Sequence, residues 1–208
     1  VTVLGQYSRE YFVLPEFHVA TLKKEGIELY DMSGEAVEPQ WLTVNWDVNR
    51  SSKGGYPFYM EKEIMEQPEV IRETIEPRIQ DGMPNLEVDG VPDSLLAECD
   101  RICVVACGTA MHAGLVGRAL MQSLVRMHMD VELASEFMYT DSLVDEKTLV
   151  IAISQSGETI DTLEALKYAK RNGAKTLSIV NVKGASIARE SGYVIYTNAG
   201  PEIAVAST

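Results

Sequence analysis

Six residues constrain what this chain can fold into. The apolar run Thr148-Leu149-Val150-Ile151-Ala152-Ile153 stops at Ser154-Gln155-Ser156-Gly157-Glu158-Thr159, and an amphipathic segment begins near Thr159. The run is short, β-branched and apolar on both faces, the pattern of a buried parallel strand. After the turn, Ile160, Leu163, Leu166 and Ala169 recur at helical spacing. Strand, tight turn and helix are therefore predicted. Because parallel strands need crossover connections, the surrounding chain must alternate strand with helix.

The turn itself carries three hydroxyls, an amide and one glycine. The first N–H groups of a helix lack intrahelical partners and carry partial positive charge, so a turn rich in donors there suits a phosphate without any lysine. Glu158 weighs against a bare anion site; it reads equally well as a capping carboxylate paired with Gln155 or Ser156. An ordinary capped helix is the competing interpretation of the pattern.

The alternation continues on both sides of the turn. Arg101–Ala106, Val131–Ala134, Leu149–Ile153, Lys175–Val180 and Tyr193–Tyr196 read as strands. Met111–Met127, the segment from Thr159, and Ile187–Glu190 read as helices. The expected fold is a doubly wound α/β domain on a parallel five-stranded sheet, spanning 93–208. In such sheets ligands bind beyond the strand carboxyl ends where the winding direction reverses. A second donor turn, Cys107-Gly108-Thr109-Ala110, follows the first of these strands and pairs with the serine turn.

Two further segments precede this domain. Residues 1–46 carry strand-like runs at Tyr11–Val13, His18–Leu22, Ile27–Tyr30 and Trp41–Trp46, separated by turn residues that include Gly26 and Gly34. They read as a β-meander remnant too small to stand alone comfortably. Residues 47–92 read as a helical linker: a charged helical stretch from Phe58 to Arg78, broken or kinked at Pro68, then a connector punctuated by Gly82, Pro84, Gly90 and Pro92. A solvated hinge is the plain reading of this linker. The start at Val1 and the end at Ala206-Ser207-Thr208 lead us to expect a piece of a longer polypeptide.

Charge and composition exclude several function classes. A balance of 18 basic against 31 acidic residues gives a net charge of −13, which disfavours nucleic acid and anionic membrane surfaces as partners. No apolar run of membrane-spanning length and no signal-peptide pattern is present, so a cytoplasmic location is expected. Cys99, Cys103 and Cys107 recur every fourth residue, but along a strand that places Cys103 and Cys107 about 13 Å apart, too far to share a metal. Buried reduced thiols are expected, and no metal or cofactor. Cys107 lies beside the expected pocket, where a reactive role is the minor alternative. His18 is expected at the surface, and His112 as a packed residue rather than a ligand. A Ser-His-Asp arrangement using Ser156 lacks both the elbow glycine spacing and a histidine after His128.

Several motifs in order carry a family resemblance. Lys53-Gly54-Gly55-Tyr56-Pro57-Phe58-Tyr59-Met60, followed by Glu63-Ile64 and Glu66-Gln67-Pro68, resembles the interdomain segment of the glutamine:fructose-6-phosphate aminotransferases, also called glucosamine-6-phosphate synthases. Cys107-Gly108-Thr109, Ser154 to Leu163, Ser186 to Glu190, and Ala199-Gly200-Pro201-Glu202-Ile203 with Val205 to Thr208 resemble their first sugar isomerase domain. The resemblance covers essentially the whole chain. It implies that residues 1–46 end a glutaminase-type domain, where glutamine releases ammonia. It also implies a sugar isomerase domain that holds fructose 6-phosphate or glucosamine 6-phosphate. Ser154, Gln155, Ser156 and Thr159 match phosphate-holding residues, Thr109 a sugar-contacting threonine, and Val205 a backbone contact near the sugar. A homodimer is implied as well.

Two departures stand out: Ala110 replaces a usual serine, and Ala204 a usual glycine. In the family the cysteine nucleophile precedes the position of Val1. Its isomerase glutamate, histidine and Schiff-base lysine follow that of Thr208, so no catalytic residue is assigned here. A non-catalytic sugar-phosphate sensor built on the same domain is the alternative function.

Overall fold

The computed structural model of the chain describes residues 7–43, 52–140 and 143–207. It divides into two units, Val1–Gly54 and Gly55–Thr208. In the first, strands β1 (Glu10–Tyr11), β2 (His18–Lys23), β3 (Gly26–Asp31), β4 (Ala36–Val37) and β5 (Leu42–Thr43) form two small antiparallel sheets, β2-β3-β4 and β1-β5. The expected meander thus holds for β2 to β4. β1 pairs instead with β5, because Phe17 takes a left-handed φ of 58° and turns the chain away, while Phe12 stacks edge-on against Trp41 at 5.3 Å. Of the run expected at Trp41–Trp46, residues 44–46 lie outside the described residues, as do 47–51 of the expected linker.

The second unit begins earlier than the expected domain. Helix α1 runs unbroken from Tyr59 to Ile75, with Pro68 inside it. Proline removes one helical hydrogen bond, that to the carbonyl four residues earlier. Here that residue is Ile64, and Ile64, Met65 and Pro68 are all exposed, so water can satisfy the freed carbonyl. Nor is α1 a solvated hinge. Arg78, just past its end, grips Asp89 through both carboxylate oxygens, at 2.5 and 2.8 Å. The same guanidinium donates to the carbonyls of Thr74 and Tyr196. A forked, charge-assisted clasp of this kind fixes geometry as well as energy. Within the expected connector, β6 (Ile79–Gln80) and β7 (Met83–Pro84) form a hairpin whose two turn residues, Asp81 and Gly82, both have positive φ. Val91 and, in helix α2 (Ser94–Ala97), Leu95 are buried in the core.

Five parallel strands follow: β8 (Arg101–Ala106), β9 (Met129–Leu133), β10 (Thr148–Ser154), β11 (Lys175–Val180) and β12 (Tyr193–Tyr196), in the spatial order β12-β11-β10-β8-β9. The doubly wound α/β sheet is therefore as expected. Alternation along β8 shows how both faces are filled. Ile102 and Val104 face a layer with Val91, Leu95 and Met121 of helix α3 (Gly108–Leu124). Cys103 and Val105 face helices α4 (Ala134–Phe137), α5 (Ile160–Arg171) and α6 (Ser186–Glu190). Gly114 permits the close approach of α3, since a Cβ there would stand 2.9 Å from Val104 Cγ1.

Helix α5 corrects one expectation. Its buried stripe is Thr162, Ala165, Leu166 and Ala169, while Ile160 is exposed. The helix starts with Thr159 as its N-cap, which rotates Ile160 outward and turns the Thr162 hydroxyl toward Cys107 Sγ.

Candidate functional site

The winding reverses between β8 and β10, because the chain leaves β8 for β9 on one side and returns to β10 on the other. Both strands end in turns that start helices, Cys107-Gly108-Thr109 into α3 and Ser154 to Thr159 into α5. A crevice of about 340 Å³ opens there, and Thr109, Ala110, Ser154 and Gln155 line it. The two helix N-termini bring their partial positive charge to one place.

The serine turn is internally braced. Ser154 Oγ lies 3.1 Å from Thr159 Oγ1 and accepts the Gly157 N–H at 3.1 Å, and Ser154 is buried. Its hydroxyl thus organises the turn as well as lining the crevice. Ser156 Oγ accepts the Glu158 N–H at 3.2 Å while the residue stays exposed, leaving its own O–H proton free to point elsewhere. Gly157 has φ +66°, and a Cβ there would sit 2.5 Å from that of Ala185, so the turn needs glycine on both conformational and steric grounds.

Glu158 does not cap its own helix. Its Oε1 accepts the N–H of Ser186 at 2.8 Å, at the start of α6, and the Gly157 carbonyl accepts the N–H of Ile187 at 2.9 Å. The acidic residue that weighed against an anion at the turn is therefore directed at a neighbouring helix.

Of the expected site residues, the structure brings Thr109, Ser154 and Gln155 together on the crevice wall. Ser156 and Thr159 belong to the same turn but are not part of that wall. Val205 projects fully into solvent. His112 is exposed rather than packed and lies outside the crevice. Cys99 and Cys103 are buried free thiols. Burial, with Glu132 nearby, pushes Cys103 up to about 12, so this thiol is inert at neutral pH. Cys107 is a half-buried free thiol. Among the described residues no group of three or more His, Cys, Asp or Glu can hold a metal, and no helix is long and apolar enough to cross a membrane.

The opposite wall escaped the sequence reading. Glu63, Glu66, Gln67 and Val70 of α1 line the crevice, as do Asn181 after β11 and the loop after β12 at Thr197, Ala199, Pro201, Glu202 and Ser207. Among the described residues no Lys or Arg lines it, and the described donors there are neutral. The signal was present as a helical stripe: Glu63, Gln67, Val70 and Thr74 are spaced by four, three and four residues. It is mostly polar, and a search for apolar periodicity passes over it.

Comparison with known proteins places this chain in a family. The SIS domain model matches residues 95–208, more than half of the chain and all five strands of the large sheet. The chain belongs to the SIS domain family. Glutamine--fructose-6-phosphate aminotransferase [isomerizing] from Symbiobacterium thermophilum is 45% identical over 210 residues, covering 100% of this chain and 34% of that protein. The enzyme of the same name from Thermus thermophilus is 45% identical over 208 residues, with the same coverage. The solved C-terminal domain of glucosamine-fructose-6-phosphate aminotransferase from Francisella tularensis aligns with a TM-score of 0.72 at 42% identity, covering 76% of this chain and 45% of that one. The chain thus spans about a third of the length of the curated relatives it matches. The SIS domain accounts for the sheet and the two donor turns, and the identity to these relatives extends through α1 and the first unit.

Proposed function

We propose that this chain is the sugar-phosphate-holding part of an aminotransferase that converts fructose 6-phosphate and glutamine to glucosamine 6-phosphate and glutamate. The observation that carries this is the crevice at the winding reversal, where two helix N-termini and the hydroxyls of Thr109 and Ser154 converge, with no basic side chain among the described residues that line it. The 45% identity to aminotransferases over the whole chain supports it.

In this reading the phosphate lies where the crevice meets the Gln155 to Thr159 turn, held by Gln155 of the crevice wall, by Ser156 and Thr159 beside it and by the amides, with Ser154 bracing the turn from inside. Thr109 faces the sugar hydroxyls, and the backbone at Val205 is a contact near the sugar. Residues 1–46 form the end of a glutaminase-type domain that supplies ammonia, 47–92 connect it to the SIS domain, and the whole protein is a cytoplasmic homodimer. The chemical steps are assigned to parts of the protein outside this chain.

The test is ligand-induced thermal stabilisation of the full-length protein, since a ligand that binds only the native state raises its melting temperature. Fructose 6-phosphate should raise it more than glucose 6-phosphate or inorganic phosphate. Ser156→Ala should weaken fructose 6-phosphate binding about tenfold, the worth of one hydrogen bond to a charged group. Equal affinity in that variant, measured by titration calorimetry, contradicts the phosphate assignment.

A further inference from the structure

We propose that Glu63 is a positioning residue: its carboxylate fixes the distal half of the loop after β12, and thereby the sugar-facing side of the crevice. The assignment rests on the function proposed above.

The loop is held at two places. Its proximal half is fastened by Asn181, whose Nδ2 donates to the Gly200 carbonyl at 2.6 Å and whose Oδ1 accepts from the Ala199 N–H at 2.8 Å and the Thr197 hydroxyl at 3.2 Å. Thr74 Oγ1 also donates to the Thr197 carbonyl. Asn181 is tied in turn to the serine turn, because its N–H donates to the Gln155 carbonyl at 3.0 Å. The distal half hangs on Glu63. Its Oε1 accepts the successive N–H groups of Ile203 and Ala204 at 2.7 and 3.0 Å.

The setting of Glu63 makes an incidental contact a poor explanation. The residue is only 8% exposed, and its Oε2 is buried with no hydrogen-bond partner among the described residues. The adjacent Lys62 makes an ion pair with Glu66, at 3.1 Å. A buried carboxylate with one bare oxygen destabilises a fold relative to an apolar side chain of similar size. Its return here is the placement of two consecutive loop amides directly before Val205 and two residues after Pro201, on a loop whose Glu202 and Ser207 line the crevice.

The experiment uses the full-length protein and three substitutions, with fructose 6-phosphate affinity by calorimetry and amide hydrogen exchange at Ile203 and Ala204 as readouts. Glu63→Ala should raise the dissociation constant about tenfold and accelerate exchange at both amides. Glu63→Gln keeps an acceptor at the Oε1 position and should restore both readouts to within about threefold of the unmodified protein. Glu63→Asp keeps the charge but withdraws the oxygen by one methylene, and should behave as the alanine variant does. This pair decides the matter even if Glu63→Ala fails to fold. Unchanged affinity and exchange in Glu63→Asp overturns the assignment while leaving the proposed function intact. A lower melting temperature with unchanged affinity in Glu63→Ala does the same, since it marks a purely structural role. Absence of fructose 6-phosphate binding in the unmodified protein overturns the proposed function, and the role of Glu63 with it.

Discussion

The two units of this chain contrast in how they are held together. Among the described residues of Val1–Gly54, Leu29 alone is buried in a core, while Phe17, Leu22 and Trp41 remain exposed. In Gly55–Thr208 both faces of a five-stranded sheet are covered, and residues such as Phe137, Leu149, Leu166 and Ile187 are fully enclosed. The antiparallel strands of the first unit are joined by tight turns and bury little, too little for sheets of this size to stand alone comfortably, whereas the parallel strands of the second are covered by helices over both faces. An enclosed scaffold is what places two helix N-termini at a fixed separation, and among the described residues only the second unit has one.

Substitutions can break or sharpen this contrast. Phe137→Ala should have the largest effect: it empties a fully buried site and removes an edge-on contact with Tyr168 at 5.7 Å, costing about 3–5 kcal/mol in chemical denaturation. A loss of only about 0.5 kcal/mol, the scale of a surface change, puts the second unit on a par with the first. Gly157→Ala comes next. It forces a left-handed backbone on alanine and drives its Cβ into Ala185, for a loss of about 2 kcal/mol or more together with reduced fructose 6-phosphate affinity.

Alkaline pH tests the same enclosure without a denaturant. The Cys103 thiol ionises near its ordinary value of 9.0 when unfolded but is held up to about 12 in the fold, chiefly by burial. The unfolded state therefore releases its proton first, and this contribution to stability is fully present below pH 9 and is lost as pH rises toward 12. Cys103→Ala should flatten the decline across that window, and a decline of unchanged steepness counts against the burial of this thiol. Leu22→Ala lies at the small end. The side chain is 78% exposed, and its loss should change stability by no more than about 0.5 kcal/mol.

The sheet was legible because its strands are continuous apolar runs bounded by turn residues. Lys175–Val180 and Tyr193–Tyr196 coincide with their predicted limits, and the serine turn stands where the run from Thr148 ends. Helix phase was less legible. Ile160 looked like part of the apolar stripe, but the N-cap at Thr159 sets a register in which Thr162, polar in sequence, is the buried residue. Half of the site could be read from hydroxyls at strand ends, which are local signals. The other half was passed over: Glu63 belongs to a mostly polar helical stripe, and it acts on a loop about 140 residues away through backbone amides, a pairing that sequence does not display. Pro68 misled for a related reason: its effect depends on whether the freed carbonyl meets water, and exposure is a tertiary property.

The most direct test of the account is a crystal structure of the full-length protein with fructose 6-phosphate. The account predicts the phosphate at the Gln155 to Thr159 turn, between the N-termini of α3 and α5, with the sugar directed toward Glu63 and the loop it holds. A phosphate bound at another surface, with the serine turn unchanged and unoccupied, contradicts it.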